Sequence, residues 1–245
     1  MAPIHRIPFH FHAEGHAFSG EFRHPVWCLI PAQASASLPT IGGHSSAHAE
    51  NFQFQDFVSF KSAQTHISGK RRRDDTFATH ATTTIHGLNI LGVVTADLVV
   101  CRLTSVHSPK EREGHIIAED SRFEGLRIKG EDVKVILRHD LLVKCKTFED
   151  LTKGIASDTK SGKIAVTKDG VAVCSLVEKI ETKLKGVDPK RHLIEVPNFG
   201  KIFLAEIFAE PGTRTLTMLR LELGSPHVAN ATAGETRTNG QPSPP

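Results

Sequence analysis

The residue types best suited to chemistry lie near the start of the chain. His10, His12 and His16 form an H-x-H-x-x-x-H string. On an extended strand, residues two apart share a face. His10 and His12 therefore point the same way, opposite Phe9 and Phe11. If the chain turns at Glu14 and Gly15, His16 returns from the hairpin partner, and three imidazoles converge as zinc ligands would. The string predicts a metal site of His10, His12 and His16; the alternative is three histidines on a solvated polar face. A carboxylate three or four residues beyond His12 would complete a two-histidine-plus-acid set, but Glu14 comes too early. His44 and His48 sit in or beside a stretch of Ser, Ala and Gly and are a weaker candidate.

Other reactive groups are scattered. Cys28, Cys101, Cys145 and Cys174 are widely spaced and form no C-x-x-C pair, which excludes zinc-ribbon and thioredoxin-like readings. Two disulfides in three connectivities are open to them, and four free thiols is the preferred reading. Lys160-Ser161-Gly162-Lys163 looks like half of a phosphate loop, but the upstream glycine is missing. No G-x-S-x-G is present. Asp97 follows Thr95 in a buried-looking strand; a catalytic carboxylate is one reading, a structural one bonded to nearby backbone the preferred one, and no second acid pairs with it in sequence. The expectation is a non-enzymatic protein with no catalytic residues and no cofactor.

Positioning such groups falls to β elements. Two phrases repeat: Ile85-His86-Gly87-Leu88-Asn89-Ile90-Leu91-Gly92 and Phe123-Glu124-Gly125-Leu126-Arg127-Ile128-Lys129-Gly130. Each alternates apolar and polar residues and ends in glycine, as a strand running into a turn does. Residues 4–23 read as a hairpin, 32–46 as a long loop, and 51–60 as a half-buried strand with Phe52, Phe54, Val58 and Phe60 on one face. Residues 93–106 are apolar and β-branched, as in a central strand. Thr147 and Asp150 resemble a capping box, with Phe148, Leu151 and Ile155 at helical spacing behind them. Residues 163–173 read as a hairpin, and 193–223 as three strands turning at Asn198-Phe199-Gly200 and Pro211-Gly212-Thr213. The prediction is an all-β fold, an antiparallel β-sandwich or barrel, with one short helical insertion near residues 140–156. Residues 1–225 form one domain. Residues 226–245, rich in Thr, Ala, Gly, Asn and Pro, read as an extended arm.

Composition narrows the function. At 39% hydrophobic and 23% charged, this chain of 245 residues can bury a sizeable core. Its net charge is only +3, and the basic run Lys70-Arg71-Arg72-Arg73 is followed at once by Asp74-Asp75. That argues against nucleic acid, which needs many cations on one face. The 14 Phe, single Trp and absence of Tyr argue against a sugar-binding surface built on aromatic platforms. No stretch approaches the ~18 apolar residues that span a membrane, and residues 1–8 lack the pattern of an export signal.

Three segments carry a resemblance. They are Gly87-Leu88-Asn89-Ile90 with Val94-Thr95-Ala96-Asp97, then the phrase from Ser121 and Arg122 through Gly130, then Val196-Pro197-Asn198-Phe199-Gly200 with Leu216-Thr217-Met218-Leu219-Arg220-Leu221. Over residues 85–233 the series resembles bacterial surface proteins of the choice-of-anchor P type. The resemblance implies an exported, β-rich, non-catalytic module, and it carries no catalytic residues to transfer. The chain lacks that family's signal peptide and C-terminal anchor sequence.

Three functions follow as expectations. The first is a structural subunit that self-associates through strand edges and the C-terminal arm. The second is a small-ligand or glycan-binding sandwich, and the third a metal-binding protein or enzyme using the N-terminal histidines.

Overall fold

The computed structural model describes residues 9–24, 27–108, 110–111, 113–158, 165–166, 170–224 and 226–242. Its strands are β1 (Phe9–Phe22), β2 (Cys28–Gln33), β3 (Ala36–Ser37), β4 (Gly43–Phe54), β5 (Val58–Arg71), β6 (Phe77–Ile90) and β7 (Val94–His107). Next come β8 (His115–Ile117), β9 (Arg122–Glu124), β10 (Arg127–Ile128), β11 (Glu131–Leu137), β12 (Ala165–Val166), β13 (Ala172–Ser175) and β14 (Val177–Thr182). The last four are β15 (Leu193–Val196), β16 (Gly200–Glu210), β17 (Thr213–Leu223) and β18 (Ala229–Pro242). They form two antiparallel sheets packed face to face, an all-β sandwich as the alternation predicts. Sheet A runs β12-β13-β16-β17-β18-β1-β2, with β15 on β16 and β3 on β1. Sheet B runs β14-β11-β10-β7-β6-β5-β4, with β8 and β9 on β7. β1 and β18 lie over β5, β6 and β7. On one side the sheets join at Leu176, whose N–H donates to Ala205 of sheet A while its carbonyl accepts from Arg138 next to β11.

Each sheet is crossed by a crease. In sheet A the ladder skips Ala17, Gly234, Met218 and Ala205, one residue on each of four adjacent strands. In sheet B it skips Asn51, Lys61, Gly87, Asp97 and Gly125. Left-handed backbone recurs on alternate strands: Ala205 (φ 48°) and Gly234 (φ 65°) in sheet A, Asn51 (φ 50°), Gly87 (φ 64°) and Gly125 (φ 59°) in sheet B. Because side chains alternate with period two, each skipped residue exchanges the inner and outer faces of its strand. In β1, for example, Phe9, Phe11 and Ala13 point inward before the crease, and Phe18 and Phe22 after it.

The crease explains both the repeated phrase and an error of the sequence reading. Gly87 and Gly125, the third residues of the two phrases, are the crease residues. Leu88, Ile90, Leu126 and Ile128 behind them are buried. The two phrases flank the same strand, since Ile90 and Ile128 both pair with Val94, and Asn89 and Arg127 both pair with Thr95. Each phrase ends in two positive-φ residues, Leu91-Gly92 and Lys129-Gly130, which make tight turns. The predicted hairpin of residues 4–23 is instead one 14-residue strand from Phe9 onward. The reversal of apolar phase near Glu14-Gly15 suggests a turn but is the crease at Ala17. Residues 1–8 lie outside the described residues.

Other expectations fare unevenly. Residues 32–46 are not one loop, since β3 and the start of β4 fall within them. The predicted arm is β18, a central strand bonded to β17 on one side and β1 on the other. Ala229, Ala231, Ala233, Thr236 and Thr238 are buried because the opposing sheet comes close: a β-carbon on Gly234 would lie 3.2 Å from the Val99 side chain. The helical insertion is present as α1 (Leu141–Lys144) and α2 (Phe148–Asp158). Its capping box forms in both directions. The Asp150 N–H donates to Thr147 Oγ1 (3.0 Å), and the Thr147 N–H donates to Asp150 Oδ2 (3.2 Å). The hairpin of 163–173 appears as β12 against β13, but Lys160-Ser161-Gly162-Lys163 and the turn Lys168-Asp169 lie outside the described residues.

The interior has two apolar clusters with hydroxyls beside them. The smaller one stacks Phe9 on Phe77 (centroids 4.4 Å apart), with Phe11 edge-on to both. Buried hydroxyls find partners there: Thr65 with Thr83 (3.1 Å), Ser105 with Thr238 (3.1 Å) and the Cys101 thiol with Thr236 (3.1 Å).

Candidate functional site

The single strand β1 decides the fate of the histidines. His10, His12 and His16 do share its outward face, but a strand rises about 3.4 Å per residue. His12 and His16 are therefore about 14 Å apart along it, too far for one metal ion. Among the described residues, no group of three or more His, Cys, Asp or Glu is gathered as a metal site. His16 instead shares hydrogen bonds with Ser19 (3.0 Å) and Thr232 (3.2 Å), which also bond each other (3.1 Å). Asp97 is exposed on the outer face of β7, against the buried reading, and sits 3.8 Å from Arg127. The four cysteines are unpaired. Burial pushes the thiols of Cys101 and Cys174 up to about 12 and raises that of Cys145.

Among the described residues, a concavity lies on the outer face of sheet A, just past its crease. It encloses about 650 Å³. Two rows of the sheet form its floor: Arg220, Thr232 and Ser19 in one, Glu222, Asn230 and Glu21 in the next. Leu29 and Pro31 of the edge strand β2 make an apolar wall. Pro31 is tolerated there because an edge strand has a side with no ladder to complete. The crease turns Ser19, Glu21, Arg220 and Glu222 outward, exchanging the parity of their strands.

The charges of the floor are matched. Glu206, nearly sealed from solvent, accepts from Arg220 Nη2 and shares a 3.2 Å hydrogen bond with His192 Nε2. Arg220 also binds Glu222 and lies flat over the Phe203 ring, 3.6 Å from its centroid. Burial alone would raise the Glu206 carboxyl. The hydrogen bonds of His192 and Arg220, with the charge of Arg220, overcome it and hold the carboxyl below its ordinary range. At the far end, the Trp27 indole donates to Glu21 Oε1 (3.2 Å), and Arg23 grips the same carboxylate. Trp27 is 66% exposed and Leu29 58%.

Chemically, the arrangement offers hydrogen bonds of fixed direction beside an exposed apolar edge. Ser19 and His16 stand at the separation of a nucleophile and its base, but Thr232 shares both, and among the described contacts no carboxylate orients the imidazole. Sequence reasoning missed this groove because its members come from residues 19–31 and 220–232. Only the outward polar residues of a strand otherwise alternating Leu219, Leu221, Leu223 hint at it.

No curated protein and no solved structure matches the chain. Residues 9–157 and 153–210 match the family described as a domain of unknown function, DUF8256. That span runs from β1 through β16 and covers more than half of the chain, so the chain belongs to this family of unestablished function.

Proposed function

We propose that the protein is a non-catalytic binding module whose sheet A groove takes a small, neutral, polyhydroxylated ligand such as a sugar ring. One observation carries the reading: the only tryptophan of a chain without tyrosine is two-thirds exposed and tied to a groove carboxylate. An indole left in water loses apolar burial, and it is the side chain best suited to stack on a sugar face. Glu21, Asn230, Thr232 and Ser19 supply acceptors and donors for hydroxyls, and Leu29 with Pro31 supplies an apolar wall. The low aromatic count, which argues against glycans by composition, matters less than where the one tryptophan stands. Titrating a panel of mono- and disaccharides while following Trp27 fluorescence and thermal melting tests this. A ligand is expected to shift the emission and raise the melting temperature by mass action, and Trp27→Ala should abolish binding without changing the melt of the free protein. A panel without any shift overturns the reading.

A second reading, self-association, rests on β4. Its outer edge is unpaired by any described strand, and its 12 residues include no Lys, Arg or Pro to deter a neighbour. The arm that also suggested assembly is β18 and is fully used within the sheet. Light scattering across a wide concentration range tests the edge, and a monomer throughout rejects it.

A further inference from the structure

The outer face of sheet B carries a histidine lattice separate from the groove. His44 and His48 on β4, His66 on β5, and His80 and His86 on β6 all point outward. Ladder pairing fixes their places: His44 faces Ser68, which faces His80; His66 lies between Ser46 and Thr82; His48 faces Gln64. His44, His48 and His80 therefore surround His66 as diagonal neighbours, about 7–8 Å away. His44, His48, His66 and His86 are exposed, and Ser46 and Gln64 fill the gaps between them. No large apolar side chain interrupts these rows on β4, β5 or β6.

The charged groups around the lattice are few and mostly basic. Among the described residues, Glu50 is the one carboxylate on the outward face of β4, β5 and β6. Lys61 and Lys70 belong to β5, and Arg72 and Arg73 stand at the β5–β6 turn. On that turn Asp75 is paired with Arg71 and Asp74 is bonded to Thr76. On β7, Arg102 is paired with Asp120, and Glu119 lines the same hollow as His80, Arg72 and Arg102. Beyond it on β9, Arg122 and Glu124 pair with each other. The lattice is thus near neutral when its imidazoles are neutral and strongly positive when they are protonated. Histidine is the side chain whose charge changes between about pH 5 and 8. Burial, then Arg72, Lys70 and Arg102, lower the pKa of His80.

We propose that this face is a proton-gated docking surface for an anionic lipid bilayer, engaged at mildly acidic pH and released at neutral pH. The choice of a bilayer follows from the pattern of charge. The imidazoles spread in two dimensions over three strands, matching a plane of headgroups and not the line of charges on a linear polyanion. The absence of large apolar side chains fits attraction to headgroups without insertion.

The test is sedimentation of the full chain with phosphatidylcholine vesicles, with and without phosphatidylserine, at about pH 5.5 and about pH 7.5. Binding is expected only with phosphatidylserine and only at the acidic pH, and it should fall as salt rises. The triple variant His44→Gln, His48→Gln, His66→Gln should lower binding at the acidic pH about tenfold or more. The counterpart His44→Lys, His48→Lys, His66→Lys should bind at both pH values. The proposal is overturned by absence of binding at the acidic pH, by unaltered binding in the glutamine variant, or by capture of soluble heparin without capture of vesicles. A lysine variant that still requires acid overturns it too, and it guards against a glutamine variant that merely folds poorly.

Discussion

Gly125 lies directly against Asp97. A β-carbon on Gly125 would come 1.9 Å from Asp97 Oδ2 and 2.9 Å from Asp97 Cβ, on a backbone already left-handed at φ 59°. Gly130 has the same handedness, φ 80°, but open space around it. The pair separates two costs of losing a glycine. Gly130→Ala should cost about 1 kcal/mol from backbone strain alone. Gly125→Ala adds the collision at the crease and should cost about 3 kcal/mol. Urea unfolding of both variants measures the difference, and equal midpoints would show that the crease yields freely.

Glu206 should make stability depend on acid. Its folded pKa lies below the ordinary 4.5, so its contribution is complete above that value and is lost as pH falls through the lowered one. Glu206→Gln should destabilise the protein at neutral pH by about 2–3 kcal/mol. That is less than the loss for a fully buried pair, because Arg220 is partly exposed and keeps Glu222. The variant should also show a shallower loss of stability below about pH 4.5. Denaturant midpoints of both proteins across that range check both statements.

Truncation before Ala229 should abolish cooperative folding. β18 holds β1 to β17 along its length and supplies the threonines that satisfy Cys101 and Ser105. Far-ultraviolet dichroism and a thermal melt decide it: a sharp transition in the truncated chain would contradict the central placement of the strand.

The thiols should divide into two classes. Cys101 and Cys174 are buried with pKa values pushed up to about 12, whereas Cys28 and Cys145 are part-exposed. An aromatic disulfide reagent at about pH 8 should titrate two thiols in the native protein, and all four once denatured. Four fast thiols in the native state would contradict the packing around β7 and β13.

The legible parts of the sequence were those in which one rule acted alone. Thr147 with Asp150 gave a helix start and Asn198 with Gly200 gave a turn, but residues 51–60, read as one strand, hold the turn from β4 to β5, with Phe52 opposite Phe60 and Phe54 opposite Val58. The crease defeated the reading wherever two rules met. At Ala17 a change of apolar phase imitates a hairpin that would bring His16 back to His10 and His12, whereas His16 continues the same strand. β18 was missed because close sheet packing demands Ala, Thr and Gly, the composition that otherwise marks an unpacked tail. The groove was illegible because no local spacing records that Ser19, Arg220 and Thr232 lie side by side.

The adjacency of β1 and β18 also sets a timetable. His16 and Thr232 are 216 residues apart in sequence yet hydrogen-bonded. During synthesis at about 5–20 residues per second, the ribosome releases β1 at least ten seconds before its partner strand exists. Sheet B can zip from consecutive hairpins as it emerges, whereas sheet A must wait, its earliest strand unpaired on the side where β18 will lie. The long delay makes β1, with its Phe9 and Phe11, the segment most in need of shelter in a nascent chain.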